Sequence, residues 1–397
     1  MKNIVKRALT RLLPGGVLLL AATIVPSLAA LRDSLPALLP VYFYVVFGGG
    51  ILLAWRFDRS RLVLALLVLA LADRALLYGT PSVSRAVALL LPLDLAALSW
   101  LSERGLLTPR GQVKLMVLLL QALAVTLFSR PEFSAAGAWL DHTLVESAWL
   151  HPFGLPQATV LAFALAGALV ALRFVRHPTA LESGSVWALV AAFLALLARP
   201  AGPAATIYIT TAALILVVSL VETSHGMAYG DELTGLPGRR ALNEALLKLR
   251  GRYAIAMVDI DHFKRFNDEH GHDVGDQLLR MVGARLAGVG GGGRAYRYGG
   301  EEFAVLFPAK SAEEIVPYLE ALRIGIAASA FTVRGRRRPR GKPEKPRASG
   351  GRQKVSVTIS IGVAEAGRQH PTPERVIEAA DAALYRAKKA GRNRLGT

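Results

Sequence analysis

Residues 253–267 read YAIAMVDIDHFKRFN. The first eight, Tyr253–Ile260, are an apolar run broken by a single aspartate near its end, the pattern of a buried strand. Two carboxylates, Asp259 and Asp261, then stand where that strand runs into a loop. Carboxylates at a strand end suit a hard cation such as Mg²⁺, which prefers oxygen ligands. Downstream, Val274–Val289 has the spacing of an amphipathic helix. Arg294–Tyr298 and Glu302–Phe307 flank a Gly-Gly pair and read as a hairpin. Ser311–Ser329 reads as a helix, Val355–Ala364 as one further strand, and Pro373–Ala390 as a last helix with Thr372 as its N-cap. The order β-α-β-β-α-β predicts a ferredoxin-like α/β domain with its helices on one face of the sheet.

Upstream of residue 222 the chain changes character. Leu, Ala and Val dominate from Leu13 to Val221, in eight apolar stretches near 13–31, 35–55, 62–78, 85–102, 113–129, 157–175, 186–199 and 204–221. Most approach the ~20 residues that cross a bilayer core as a helix. The seventh is short and is expected to be tilted, re-entrant or extended into its neighbours. Basic residues gather in alternate loops: Lys2, Lys6, Arg7 and Arg11; Arg56, Arg59 and Arg61; Arg104, Arg110 and Lys114; Arg173 and Arg176. That alternation places the N-terminus and the C-terminal domain in the cytoplasm, with the chain in the bacterial inner membrane. Ser27-Leu28-Ala29 after the first apolar run also fits signal-peptide cleavage, which leaves seven helices. The outward loop 130–156, with Trp139, Asp141, His142, Glu146, Trp149 and His151, suggests an interfacial helix. Asp73, Arg74, Asp94 and Gln121 lie within the apolar stretches. Such groups either pair to fix helix packing or line a ligand or ion pocket.

The 397 residues contain no cysteine, which excludes disulfides, zinc–thiolate sites, iron–sulfur clusters and cysteine nucleophiles. The net charge is +18. Ten basic residues and one acidic residue sit in Arg334–Lys354 (RGRRRPRGKPEKPRASGGRQK), a Gly- and Pro-rich stretch that reads as a flexible insertion. It suits contact with anionic lipid headgroups, each basic residue adding ~1 kcal/mol near the surface. It lacks the aromatics that stack on bases, so no nucleic acid is expected as a partner. The expected domains are therefore a multi-pass membrane region at 1–222, a short linker at 223–230, and an α/β domain at 231–397.

Four clusters in that domain carry chemistry. They are Asp259-Ile260-Asp261; Arg297-Tyr298-Gly299-Gly300-Glu301-Glu302-Phe303; Lys264 with Asn267, His272, Asp273 and Asp276; and Lys388 with Arg392, four apart on the last helix. If the strands pair as drawn, Asp259 meets Glu301 and Glu302, and carboxylates converging beside lysines describe a metal–triphosphate site. The side chains of Asn267 and Asp276 can read a base edge, and Lys388 with Arg392 can grip phosphates. Taken singly, each cluster is equally an ordinary turn, hairpin or solvated face.

Together the segments resemble GGDEF-domain diguanylate cyclases in the GGEEF form of the signature. Those that carry the resemblance are DELTGLPGRR (Asp231–Arg240), DIDHFKRFN (Asp259–Asn267), GHDVGD (Gly271–Asp276), RYGGEEF (Arg297–Phe303), SIGV (Ser360–Val363) and AKKAGRN (Ala387–Asn393). The resemblance implies that two GTP molecules, one on each domain of a homodimer, condense to cyclic di-GMP and two pyrophosphates, assisted by two metals. It implies metal binding by the Asp259 carboxylate, the Ile260 carbonyl, Glu301 and Glu302, with Mg²⁺ or, alternatively, Mn²⁺. Glu302 would also help deprotonate the ribose 3′-hydroxyl. Asn267 and Asp276 would bind guanine, and Gly299 and Gly300 would let the backbone approach the nucleotide. Backbone N–H groups of His262 and Phe263, with Lys264, Lys388 and Arg392, would hold the phosphates. Asp231 would pack near Arg297 and link the first turn of the domain to the site. Helix eight would then transmit a signal by shifting how two domains meet.

Two departures stand out. Gly290 and Gly293 occupy the positions of an Arg-x-x-Asp inhibitory site that many members carry, and Gly238 replaces a common Asn. Two other functions are compatible with the sequence: a catalytically silent domain acting as a nucleotide receptor, and a membrane half that is the main function, with the cyclase as its output.

Overall fold

The computed structural model describes residues 2–25, 34–128, 130, 154–198, 204–249, 251–333 and 353–397. The chain separates into two compact units, Met1–His225 and Gly226–Thr397.

Among the described residues the first unit contains eight helices: α1 Lys2–Ile24, α2 Leu35–Arg56, α3 Ser60–Tyr78, α4 Pro81–Trp100, α5 Pro109–Phe128, α6 Gln157–Arg176, α7 Ala180–Leu197 and α8 Ala204–Tyr229. They follow the eight apolar stretches. Six of the eight are long and apolar enough to cross a membrane by length and composition. The exceptions are α1, in which the shorter stretch Thr10–Ile24 is apolar, and α3, which carries Arg61, Asp73 and Arg74. Local chemistry sets several ends. Thr80 and Thr179 accept hydrogen bonds from the N–H groups of Val83 and Glu182, which caps α4 and α7. The Thr179 cap explains why α7 is longer than its apolar run. The segment 223–230, expected to be a linker, is helical up to Tyr229 as the end of α8.

Leu64, Leu66, Leu69, Leu91, Ile209 and Ile215 form the packed centre of this unit. Leu52, Leu120, Leu165 and Leu172 face outward and exposed, an apolar exterior suited to lipid. The polar residues within the apolar stretches pair: Arg74 with Asp73, and Gln121 Nε2 with Asp94 Oδ2 at 2.7 Å. A buried charge network was not anticipated. Glu182, 3% exposed, lies 3.2 Å from Arg173 Nε and 3.7 Å from Arg61 Nη1, and Arg61 also bonds Glu103 at 3.0 Å. Three expectations fall outside the described residues: the cleavage motif at 27–29, nearly all of the outward loop 130–156, and the basic insertion at 334–352.

The second unit is built on a five-stranded sheet of order β2-β3-β1-β6-β7. The strands are β1 Tyr253–Ile260, β2 Arg294–Arg297, β3 Glu302–Pro308, β6 Ile359–Glu365 and β7 Leu395–Gly396. β1 lies central and antiparallel to both β3 and β6. The helices are α9 Arg239–Leu247, α10 Phe263–His270, α11 His272–Leu286, α12 Ala312–Ala327 and α13 Pro373–Lys389. Ser311 and Glu314 form a capping box at α12, and Thr372 caps α13 as expected.

The βαββαβ order holds, but the helices cover both faces rather than one. Ala254, Ala256 and Val258 of β1 pack with Leu278 and Val282 of α11 and Leu319 of α12. The alternate residues, Tyr253, Ile255 and Met257, pack with Leu246 of α9 and Ala380 and Leu384 of α13. All eight residues of β1 are buried, which requires cover on both sides. Gly362 of β6 allows α13 to pack closely, since a Cβ there would lie 2.1 Å from the backbone of Ala380 and Leu384.

The expected single strand Val355–Ala364 is two strands. Gln353–Ser356 (β5) pairs with Ala330–Val333 (β4) in a separate two-stranded sheet, and β6 begins at Ile359. The break lies where the Thr358 carbonyl accepts the Asp261 N–H at 2.9 Å and the Thr358 hydroxyl donates to the Asp261 carboxylate at 2.7 Å. That backbone bond continues the β1–β6 register by one pair beyond Ile260 and Ile359.

Candidate active site

The register between β1 and β3 sets Asp259 directly opposite Glu302. Glu301 precedes Glu302 at the end of the turn that joins β2 to β3. The three carboxylates expected to converge therefore stand at one end of the sheet. Asp259 is buried, and its Oδ2 lies 2.8 Å from Lys388 Nζ. Burial pushes the Asp259 carboxyl above its ordinary value, against the pull of Lys388. Burial also raises Glu301, with the Asp259 charge adding to it and Lys388 opposing.

Among the described residues no three acidic or histidine side chains enclose a metal by themselves. Mg²⁺ is usually held by one or two carboxylates together with substrate phosphates and waters. The donor set suits such an ion: oxygen ligands only, with two carboxylates whose charges disfavour each other and would gain from a cation.

The turn 298–301 is held from two sides. The N–H groups of Tyr298 and Gly299 donate to the Glu302 carbonyl at 2.9 and 3.1 Å. Arg297 Nε donates to the Gly299 carbonyl at 3.1 Å and Nη2 to that of Gly300 at 2.7 Å. Arg297 Nη1 binds both oxygens of Asp231 at 2.9 Å. Asp231 in turn accepts from the Thr234 N–H and hydroxyl at 2.8 and 2.6 Å. The expected link from Asp231 to the signature loop is thus a bidentate ion pair.

On the other side of β1, His262 takes a left-handed conformation, φ 60°, and opens α10. The sequence reading had no helix here, although the apolar pair Phe263 and Phe266 marks its buried side. The first N–H groups of α10 lack acceptors within the helix, and they include those of Phe263 and Lys264; the Lys264 side chain is exposed. Asn267 sits in the last turn of α10, and its Oδ1 is buried without a partner. Asp276, half-buried, follows on α11 after the positive-φ hinge at Gly271. Gly275 matters here, because a Cβ would fall 1.8 Å from Asn267 Oδ1.

Arg392 departs from expectation. α13 ends at Lys389, and Gly391, Arg392 and Asn393 all have positive φ. The spacing of four between Lys388 and Arg392 is therefore not a helix face. Arg392 is exposed beyond the helix end, and Lys388 is engaged by Asp259.

Asp261, paired with Asp259 in the sequence as a carboxylate suited to a cation, is instead a structural pin. It accepts from the Thr358 and Ser360 hydroxyls at 2.7 Å each and from the Asn393 N–H at 3.0 Å. It ties the end of β1 to β6 and to the turn after α13. Nothing in local spacing marks this, since its partners lie about a hundred residues away.

Residues 228–394 match the family described as diguanylate cyclase, GGDEF domain. The chain is 37% identical over 181 residues to the response regulator PleD of Caulobacter vibrioides, covering 44% of this chain and 37% of PleD. It is 40% identical over 185 residues to the diguanylate cyclase DgcP of Pseudomonas aeruginosa, covering 45% of this chain and 25% of DgcP. The solved coiled coil and GGDEF domain of DgcB from Caulobacter crescentus, in complex with c-di-GMP, shares 32% identity over 44% of this chain and 88% of that one, with a TM-score of 0.38. The chain thus spans well under half the length of these two full-length relatives. Through residues 228–394 it belongs to the diguanylate cyclase GGDEF family.

Proposed function

We propose that the chain is a membrane-bound diguanylate cyclase that condenses two GTP into cyclic di-GMP and two pyrophosphates. The observation that carries this reading is the register that sets Asp259 opposite Glu302, with Glu301 beside them and Lys388 on Asp259. One domain offers one such site, so closing the ring requires two domains face to face in a homodimer. Each ribose 3′-oxygen forms a bond to the α-phosphorus of the opposite GTP, and pyrophosphate leaves from that phosphorus.

Asp259, Glu301, Glu302 and the Ile260 carbonyl would hold Mg²⁺, or Mn²⁺ in its place, which supplies charge neutralisation for the phosphates. Glu302 would accept the 3′-hydroxyl proton. Asn267 Oδ1, buried and unpaired, accepts from a purine N–H, and Asp276 supplies the second acceptor. Guanine offers an N1–H and an amino group as donors, which selects GTP over ATP because an unpaired buried acceptor costs about 1–3 kcal/mol. The N-terminus of α10, with Lys264, receives phosphate.

The six apolar helices suggest a membrane-spanning region. The alternation of basic loops supports an inner-membrane location with the GGDEF domain in the cytoplasm. The segment 334–354 would add contacts to anionic lipid. Full-length protein incubated with GTP and Mg²⁺ tests the reading. Cyclic di-GMP identified by mass spectrometry is the expected product; none from GTP, or equal turnover of ATP, overturns it.

A further inference from the structure

Within the first unit, α3, α4 and α5 line an open cleft of about 330 Å³. Its walls are apolar, including Val68, Leu71, Leu91, Leu118 and Val125. Two polar side chains break this lining as a pair: Asp94 from α4 and Gln121 from α5, joined by the 2.7 Å bond from Gln121 Nε2 to Asp94 Oδ2. The hydroxyl of Thr126, also in the lining, donates to the carbonyls of Ala122 and Leu123 within its own helix. Asp94 and Gln121 both lie inside helices long and apolar enough to span a membrane. Asp94 stands six residues before the end of α4, roughly 9 Å along the axis at ~1.5 Å per residue.

A carboxylate at such depth is costly and needs a reason. Helix packing alone is a weak one, because α5 is sparsely covered: only 6% of its span is buried, against 50% for α4. The volume lies in the ~300–1,000 Å³ range of small-molecule sites, which combine apolar walls with a few polar groups that orient the ligand. Here the carboxylate can only accept hydrogen bonds, and the Gln121 amide uses one oxygen and leaves the other.

We infer that this cleft binds a small lipophilic molecule bearing one hydroxyl, its chain along the walls from Val68 to Val125 and its O–H donated to Asp94. The walls reject ions and sugars, and the carboxylate rejects acids. A plain acyl tail has no donor to satisfy it. The inference is independent of the cyclase reading, since it concerns binding within the first unit.

Photolabelling of the full chain in phosphatidylcholine nanodiscs tests it. The probe is n-decanol carrying a diazirine on its chain, with the corresponding methyl ether as control. The alcohol should label peptides within 67–91 and 115–126. Asp94→Leu should cut that labelling by about tenfold, which is ~1.4 kcal/mol. Asp94→Asn keeps an acceptor and should retain most of it. The ether should label wild type no better than the alcohol labels Asp94→Leu. Should Asp94→Leu fail to fold, Ala122→Phe, which fills the cleft, should abolish labelling instead. Equal labelling by alcohol and ether, which marks a lipid-tail pocket, overturns the inference. So does labelling unchanged in Asp94→Leu or Ala122→Phe.

Discussion

Arg297 Nη1 sits 2.9 Å from both carboxylate oxygens of Asp231, while the rest of the same guanidinium holds the carbonyls of Gly299 and Gly300. One planar fork thus fixes the loop that carries Glu301 and Glu302 to a turn 66 residues earlier in the chain.

This pairing predicts a pH-dependent stability. Burial would raise the Asp231 carboxyl, but the hydrogen bonds from Thr234 and Arg297 outweigh it and hold the group below its ordinary value. A depressed value in the folded state stabilises above the unfolded value of about 3.9, and the gain is lost as pH falls through the folded value. Asp231→Asn should cost about 1–3 kcal/mol at neutral pH and flatten the decline below pH ~4. Thermal unfolding of both proteins between pH 3 and 7 checks this.

Gly275→Ala should act through Asn267. The added methyl meets the amide oxygen of Asn267 and displaces the proposed guanine acceptor. An increase in the KM for GTP of about tenfold is expected, corresponding to ~1.4 kcal/mol, with a smaller change in kcat. Equal losses of KM and kcat would instead indicate a folding defect, which circular dichroism would show.

Lys388→Gln should move the acid limb of the pH–activity profile to higher pH. Burial already raises Asp259 and Glu301, and Lys388 opposes that in both. Removing the ammonium raises both carboxyls further, so ionising them needs more alkaline conditions. A profile measured at saturating Mg²⁺ reads this shift.

Gly293→Asp combined with Gly290→Arg should not install a working inhibitory site. A Cβ at 293 would lie 2.6 Å from the Phe307 ring, and one at 290 would lie 3.0 Å from Tyr318. Overpacking here should cost about 1–3 kcal/mol. Product titration of the variant should show no added inhibition.

Much of the candidate site was legible because its residues are local in sequence. Asp259, Glu301 and Glu302 follow from a strand end and a hairpin, and the alternating register of β1 with β3 brings them together. The helix ends read from Thr372 and Ser311 were legible for the same reason. What escaped depends on distant partners. The split between β5 and β6 falls beside Thr358, which Asp261 reaches, and the same carboxylate reaches Asn393. The exit of Arg392 from the helix follows from positive φ at three successive residues, of which only Gly391 is visible as a signal. The network of Arg61, Glu103, Arg173 and Glu182 needs three-dimensional neighbours to be seen at all.

The central claim is that Glu302, opposite Asp259, belongs to a cyclising active site. The most direct measurement compares purified wild type with Glu302→Ala for cyclic di-GMP and pyrophosphate release from GTP and Mg²⁺, alongside GTP binding by equilibrium dialysis. The account predicts wild-type product with two pyrophosphates per cyclic di-GMP, and for Glu302→Ala a loss of about 100-fold or more with GTP still bound. Full activity in Glu302→Ala, or GTP bound by wild type without product, would contradict it.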